Sequence, residues 1–145
     1  MEKKISISFV VPCFNESPNI KKTLNEIQIT IKTLRIYNYE IIIIDDGSTD
    51  NSYLILKKLQ NSYSNLIINK HESNIGYGGA IKTGLRIATK KYVMWIPGDN
   101  SHSNTELTKM ISKINNYDFV TTYYTNKAKR NLLRRLFTDI YTPFL

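Results

Sequence analysis

One cysteine, four prolines and six glycines among 145 residues exclude several classes of protein. A lone Cys13 cannot build a disulfide framework or a cysteine-based zinc site. So little Gly and Pro excludes collagen-like and low-complexity chains. No apolar run approaches the ~18 residues of a membrane span. The stretch after Met1-Glu2-Lys3-Lys4 is interrupted by Ser6 and Ser8, ends at Asn15-Glu16 and lacks a small-residue cleavage site, so it does not read as a secretory signal. These absences predict a reducing, cytoplasmic setting. What is present is 41% hydrophobic and gathered in compact runs of Ile, Leu, Val and aromatics, which excludes disorder for most of the chain. The length fits one domain. Twenty Lys and Arg against twelve Asp and Glu give a formal charge of +8, which points to an anionic partner: nucleotide, nucleic acid or phospholipid surface.

Continuous apolar runs alternate with helical periodicities along the chain. Ile5 to Val11 reads as a buried strand ended by Pro12. Ser17 is placed to cap a helix whose first residue is Pro18, and Ile20, Leu24, Ile27, Ile31 and Leu34 form its apolar face. Glu40 to Ile44 is a second strand, and a short helix with Leu54, Ile55, Lys58 and Leu59 follows it. Leu66 to Ile68 is a third strand. Asn74-Ile75-Gly76-Tyr77-Gly78-Gly79 is a glycine-rich loop leading into a helix with Ala80, Ile81, Gly84, Leu85 and Ala88 on one face. Tyr92 to Ile96 makes a fourth strand, Leu107, Met110, Ile111 and Ile114 another helix, and Phe119 to Thr122 a fifth strand. This alternation predicts an α/β sandwich on a mostly parallel sheet. Ligands of such sheets bind outside the carboxyl ends of the strands. Three of those ends carry polar clusters: Asn15-Glu16, Asp45-Asp46 and Asp99-Asn100.

Neighbouring strand residues point to opposite sides, so one carboxylate of Asp45-Asp46 can face a ligand while the other braces the turn Gly47-Ser48-Thr49-Asp50. Those are also ordinary turn residues. Asp99 near phosphates is a natural Mg²⁺ or Mn²⁺ ligand, since such ions take one or two protein carboxylates and complete their shell with phosphate and water; alone, it is also an ordinary loop residue. His102 reads as a polar loop residue. The glycine loop fails the P-loop pattern, because Leu85-Arg86 follows Gly84 where Lys-Ser/Thr is required, and it fails the dinucleotide fingerprint as well. Close backbone packing near a ligand is the remaining use for its glycines.

Segment 126–145 differs in character. Lys127, Lys129, Arg130, Arg134 and Arg135 interleave with Leu132, Leu133, Leu136, Phe137, Ile140, Tyr141 and Phe144 at helical spacing, predicting a basic amphipathic helix. Its apolar face has nothing downstream to pack on, which predicts a chain truncated at its C-terminal side. Either that face packs on further parts of the same protein or the helix lies in a membrane interface. The charge is local and the aromatics lie on the apolar face, which argues against nucleic acid.

In order, Val10-Val11-Pro12-Cys13-Phe14-Asn15-Glu16, then Ile43-Ile44-Asp45-Asp46-Gly47-Ser48-Thr49-Asp50, then Asn74-Ile75-Gly76-Tyr77-Gly78-Gly79-Ala80 with Gly84, then a strand ending at Asp99, resembles the inverting family 2 glycosyltransferases of the GT-A fold. Within them the chain looks most like the dolichyl- or undecaprenyl-phosphate sugar synthases. The resemblance implies a three-layer, Rossmann-like α/β/α sandwich over 1–125 and a UDP- or GDP-linked sugar donor. It implies that Pro12, Phe14, Glu16, Asp45, Asp46 and Gly76 bind that donor. Asp99 would be the metal-binding and catalytic aspartate, with Mg²⁺ or Mn²⁺ as cofactor. It further implies a lipid-phosphate acceptor, reached at the cytoplasmic face of a membrane by Arg130, Arg134 and Arg135. Two positions depart from the pattern. Pro97 stands where the Asp-X-Asp motif has its first aspartate, leaving Asn100 or Ser101 as neutral oxygen donors. Tyr123-Tyr124 stands where mannose-transferring members carry Ser-Arg. A catalytically silent nucleotide-sugar-binding or scaffold protein is the alternative. A phosphate-accepting receiver domain is more distant, because its acidic pair follows the first strand.

Overall fold

The computed structural model describes residues 5–63 and 65–122. The tail 126–145, with Arg130, Arg134 and Arg135, and the pair Tyr123-Tyr124 lie outside the described residues. Among the described residues four strands, β1 (Ser6–Cys13), β2 (Asn38–Asp45), β3 (Leu66–Lys70) and β4 (Tyr92–Trp95), alternate with helices α1 (Ile20–Thr33), α2 (Ser52–Gln60), α3 (Tyr77–Ile87) and α4 (Asn104–Ile111). The strands form one parallel sheet in the order β3-β2-β1-β4.

Strand parity separates the two faces of the sheet. Ile7, Phe9, Val11, Cys13, Ile41 and Ile43 pack with Ile20, Leu24, Ile27 and Ile31 of α1, Leu56 of α2, and Leu107 and Ile111 of α4. Val10, Ile42 and Ile44 pack on the other face with Ala80 of α3. Both faces are thus covered, giving three layers and explaining strands that are apolar throughout rather than alternating. Among the described residues no helix is long and apolar enough to cross a membrane.

The structure corrects several sequence expectations. β1 runs through Pro12 to Cys13. The Pro12 carbonyl accepts from Gly98 N–H beyond the end of β4, so the ring lies past the β1–β4 ladder, where a missing amide breaks no strand pairing. α1 starts at Ile20 with Asn19, not Ser17, before it; the Ser17 N–H is instead taken by Asp50 at 3.1 Å. In α2 the buried apolar residue is Leu56, and Leu54 is exposed. In α3 the buried stripe narrows to Ala80 and Gly84, with Leu85 exposed. Phe119 to Thr122 is not a strand. Phe119 leans on Trp95 with ring centroids 6.5 Å apart, and a cavity of about 290 Å³ lined by Val93, Trp95 and the 117–122 segment intervenes at the edge. High strand propensity without an adjoining backbone to pair makes no ladder.

Candidate functional site

The chain leaves β1 for β2 on one side and returns later as β4 on the other, so the strand order reverses beside β1. Loops leaving two adjacent strands in opposite directions open a crevice at their carboxyl ends. That is where the structure has a cleft of about 180 Å³, lined by Pro12, Cys13, Phe14, Glu16, Asp46, Tyr77, Pro97, Gly98 and Asp99. The cleft therefore gathers five of the expected site residues: Pro12, Phe14, Glu16, Asp46 and Asp99.

Each wall is held by identifiable bonds. Gly98 donates to the Pro12 carbonyl at 3.1 Å and accepts from the Thr23 hydroxyl of α1 at 2.9 Å, which sets the height of the Asp99 loop. Asp99 Oδ1 accepts from Ser101 N–H at 3.0 Å. Glu16 receives Asn19 Nδ2 at 2.9 Å. Asn15 has φ 56, and its Oδ1 accepts from Thr49 N–H at 2.9 Å, which ties the β1 exit to the β2–α2 loop. Phe14, 42% exposed, lines the cleft.

The two aspartates divide as the strand pleat requires, with the second on the cleft. Asp45 is fully buried; its Oδ1 accepts from Ser48 N–H at 3.1 Å, its Oδ2 has no hydrogen-bond partner among the described residues, and it is not part of the cleft lining. Asp46 lines the cleft and also pins the glycine loop. Its Oδ1 accepts from Ile75 N–H at 3.0 Å and its Oδ2 from Gly76 N–H at 2.9 Å. Burial raises the Asp46 pKa, but hydrogen bonds from His71, Ile75 and Gly76, with the charge of His71, outweigh it and hold the carboxyl below its ordinary range. Gly76 has φ 88, a left-handed value that admits glycine readily, and α3 begins at the next residue. Gly76 thus shapes the loop from outside the lining, and its neighbour Tyr77 contributes the cleft wall. Burial and the negative charge of Asp99 both push the Tyr77 phenol up.

His71, Tyr77 and Asn15 are the residues that sequence reasoning missed or left unassigned. Lys70 pairs with Asp45 in the β2–β3 register, which places His71 beside Asp46; aligning the two strand ends gives the signal for His71.

A divalent cation needs oxygen ligands, and Asp99 supplies a carboxylate whose Oδ2 accepts no hydrogen bond among the described residues. Among the described residues no three His, Cys, Asp or Glu cluster to hold a metal. Asn100, expected to assist, lines a separate groove with Lys21, Lys22, Lys58 and Tyr63 between α1 and α2. The donor set therefore fits an ion that takes one protein carboxylate and fills its shell from phosphate and water.

A family model described as glycosyl transferase family 2 matches residues 8–142. The UDP-N-acetylglucosamine–dolichyl-phosphate N-acetylglucosaminyltransferase of Methanococcus voltae is 34% identical over 126 residues, covering 76% of this chain and 47% of its own. The dolichyl-phosphate beta-glucosyltransferase of Saccharomyces cerevisiae is 29% identical, covering 83% of this chain and 38% of its own. The crystal structure of S. aureus TarS 1-349 in complex with UDP-GlcNAc superposes with a TM-score of 0.62 at 25% identity, covering 79% of this chain and 32% of that one. The chain thus spans about half or less of the length of these relatives. The fold is of the GT-A type.

Proposed function

Because this chain belongs to glycosyl transferase family 2, we propose that it moves a sugar from a UDP- or GDP-linked donor to a polyprenyl phosphate, dolichyl or undecaprenyl, or a related cell-envelope acceptor. The observation that carries this reading is the cleft at the strand reversal, where Pro12, Phe14, Glu16, Asp46, Tyr77 and Asp99 converge. The two dolichyl-phosphate transferases among the relatives support the acceptor class, and TarS with UDP-GlcNAc supports the donor class.

On this reading Phe14 offers an apolar face to the nucleoside, and Asp46, with Glu16, accepts hydrogen bonds from its polar edge. The acceptor's phosphate oxygen attacks the anomeric carbon from the face opposite the nucleotide. The new C–O bond forms as the bond to the diphosphate oxygen breaks, the configuration inverts, and the nucleoside diphosphate leaves. A lipid phosphate is already ionised at neutral pH, so no side chain need remove a proton from it. Asp99 would hold Mg²⁺ or Mn²⁺ together with donor phosphate oxygens, and such an ion neutralises charge developing on the departing diphosphate. Arg130, Arg134 and Arg135 are proposed to meet the lipid phosphate and the cytoplasmic membrane surface, where each basic residue near an anionic leaflet contributes about 1 kcal/mol.

Calorimetric titration with UDP, GDP and their sugars, with and without Mg²⁺ or Mn²⁺, tests the reading on the wild type and Asp99→Ala. One nucleotide should bind, more weakly without metal, and the metal dependence should vanish in Asp99→Ala. A folded protein that binds none of them would overturn the transferase reading.

A further inference from the structure

His71 makes a contact at each ring nitrogen. Nδ1 lies 2.7 Å from Asp46 Oδ1 and Nε2 lies 3.0 Å from the Thr83 hydroxyl of α3. Its own N–H donates to the Asp45 carbonyl at 2.9 Å, which fixes the backbone from which the ring projects. The side chain is 14% exposed and that of Asp46 is 4% exposed. Asp46 is ionised at neutral pH and can only accept, so Nδ1 carries a proton and donates it. Nε2 then accepts from the Thr83 hydroxyl, or donates to it when the ring is charged, and a hydroxyl serves either way.

The same carboxylate holds the amides of Ile75 and Gly76, and Ala80 N–H bonds back to the Gly76 carbonyl at 3.0 Å to open α3. The ring thus links the ends of β2 and β3 to the second turn of α3, across the loop that delivers Tyr77 to the cleft. Without the Nδ1–H bond, Asp46 is free to turn: the Ile75 amide loses its acceptor, while Gly76 N–H keeps its second acceptor, Asn74 Oδ1 at 2.8 Å.

We propose that His71 is a positioning residue for the donor site: by donating Nδ1–H to Asp46 it fixes the 74–76 loop, and through it Tyr77 and the donor-facing carboxylate. The proposal rests on the donor-binding reading of the cleft.

Isosteric replacements separate the two ring nitrogens. Asn carries an amide N–H near the place of Nδ1, and Gln carries one near the place of Nε2. His71→Asn should hold nucleotide-sugar affinity within about threefold of wild type. His71→Gln and His71→Leu should each weaken it about tenfold, the effect of one charge-assisted hydrogen bond. In steady state the loss should fall on donor KM rather than kcat. Amide exchange at Ile75, whose N–H is held by Asp46, followed without nucleotide, should accelerate in the Gln and Leu variants and not in Asn. If Leu fails to fold, the Asn–Gln pair decides alone. Equal behaviour of Asn and Gln, or retention by Gln with loss by Asn, would overturn the proposal. If the wild type binds no nucleotide, the donor reading fails, and the exchange data alone decide whether His71 fixes the loop.

Discussion

Gly84 of α3 lies directly against Val10 of β1: a Cβ added at Gly84 would overlap Val10 Cγ1 and stand 3.2 Å from Cγ2. Both residues are buried, and a β-branched side chain has few rotamers into which it can retreat. Alanine gains about 1 kcal/mol of helix propensity over glycine, while overpacking a core costs about 1–3 kcal/mol. Gly84→Ala should therefore lower unfolding stability by about 1 kcal/mol net, read by urea denaturation. Adding Val10→Ala should cost less than the sum of the two single changes, because the residues share one space. Strict additivity would contradict the contact.

How much of this was legible in the sequence depended on whether the information was local. Ile41 to Ile44 reads as a doubly buried strand because four adjacent apolar residues need cover on both faces, and all four are buried. Asp99 and the Asp45-Asp46 pair stand out in the sequence because they follow strand ends, outside which ligands of such sheets bind; of the three, Asp46 and Asp99 line the cleft and Asp45 does not. The fifth strand failed for the opposite reason: a ladder needs a neighbour, and Phe119 to Thr122 carries no mark saying whether one adjoins. Leu54 and Leu56 are alike by composition, and only the rotation of α2 against the sheet decides which is buried. His71 was invisible as a lone histidine, since its contact with Asp46 exists only once β2 and β3 are set in register.

Cys13 lines the cleft yet is buried. Burial and the charge of Asp45 push its thiol up to about 12. At pH 8 about one thiol in ten thousand is then ionised, and the thiolate is the reactive form. Folded protein should resist iodoacetamide at pH 8, and labelling should rise by orders of magnitude in denaturing urea. Rapid stoichiometric labelling of the folded chain would refute this environment.

Glu40 sits near the start of β2, at the end of the sheet away from the cleft. It accepts from Ser8 Oγ at 2.6 Å, Thr89 N–H at 2.7 Å and Thr89 Oγ1 at 2.9 Å. Burial pushes its carboxyl up, but these bonds and the charge of Lys90 outweigh it and hold the pKa below its ordinary 4.5. A pKa depressed in the folded state means that the unfolded chain binds the proton more readily. The stabilisation is therefore complete above about pH 4.5 and is lost as pH falls through the folded value. Glu40→Gln replaces one acceptor by a donor and should cost about 1–3 kcal/mol at pH 7. Denaturation midpoints followed from pH 7 downward should show a shallower acid limb in the variant, and identical limbs would refute the assignment.

Asn15 combines a left-handed backbone with a side chain that does the work of an acceptor. Its φ is 56, a region that costs an ordinary L-residue about 1–2 kcal/mol and that Asn tolerates better. Oδ1 accepts from Thr49 N–H at 2.9 Å, Thr49 Oγ1 at 3.3 Å and Asp50 N–H at 3.3 Å, and Asn15 N–H donates to Ser48 Oγ at 3.0 Å. Asn15→Gly loses the acceptor and keeps the backbone, whereas Asn15→Ala loses both. Alanine should therefore be the less stable of the two by about 1 kcal/mol in urea denaturation. That order reverses the usual preference for alanine over glycine, so it isolates the backbone contribution from the lost bonds. Both variants should weaken nucleotide binding, because Phe14 and Glu16 flank the residue whose turn aims them at the cleft. Should glycine prove the worse substitution, the left-handed turn does not set the β1 exit, and the three bonds at Oδ1 carry that task alone.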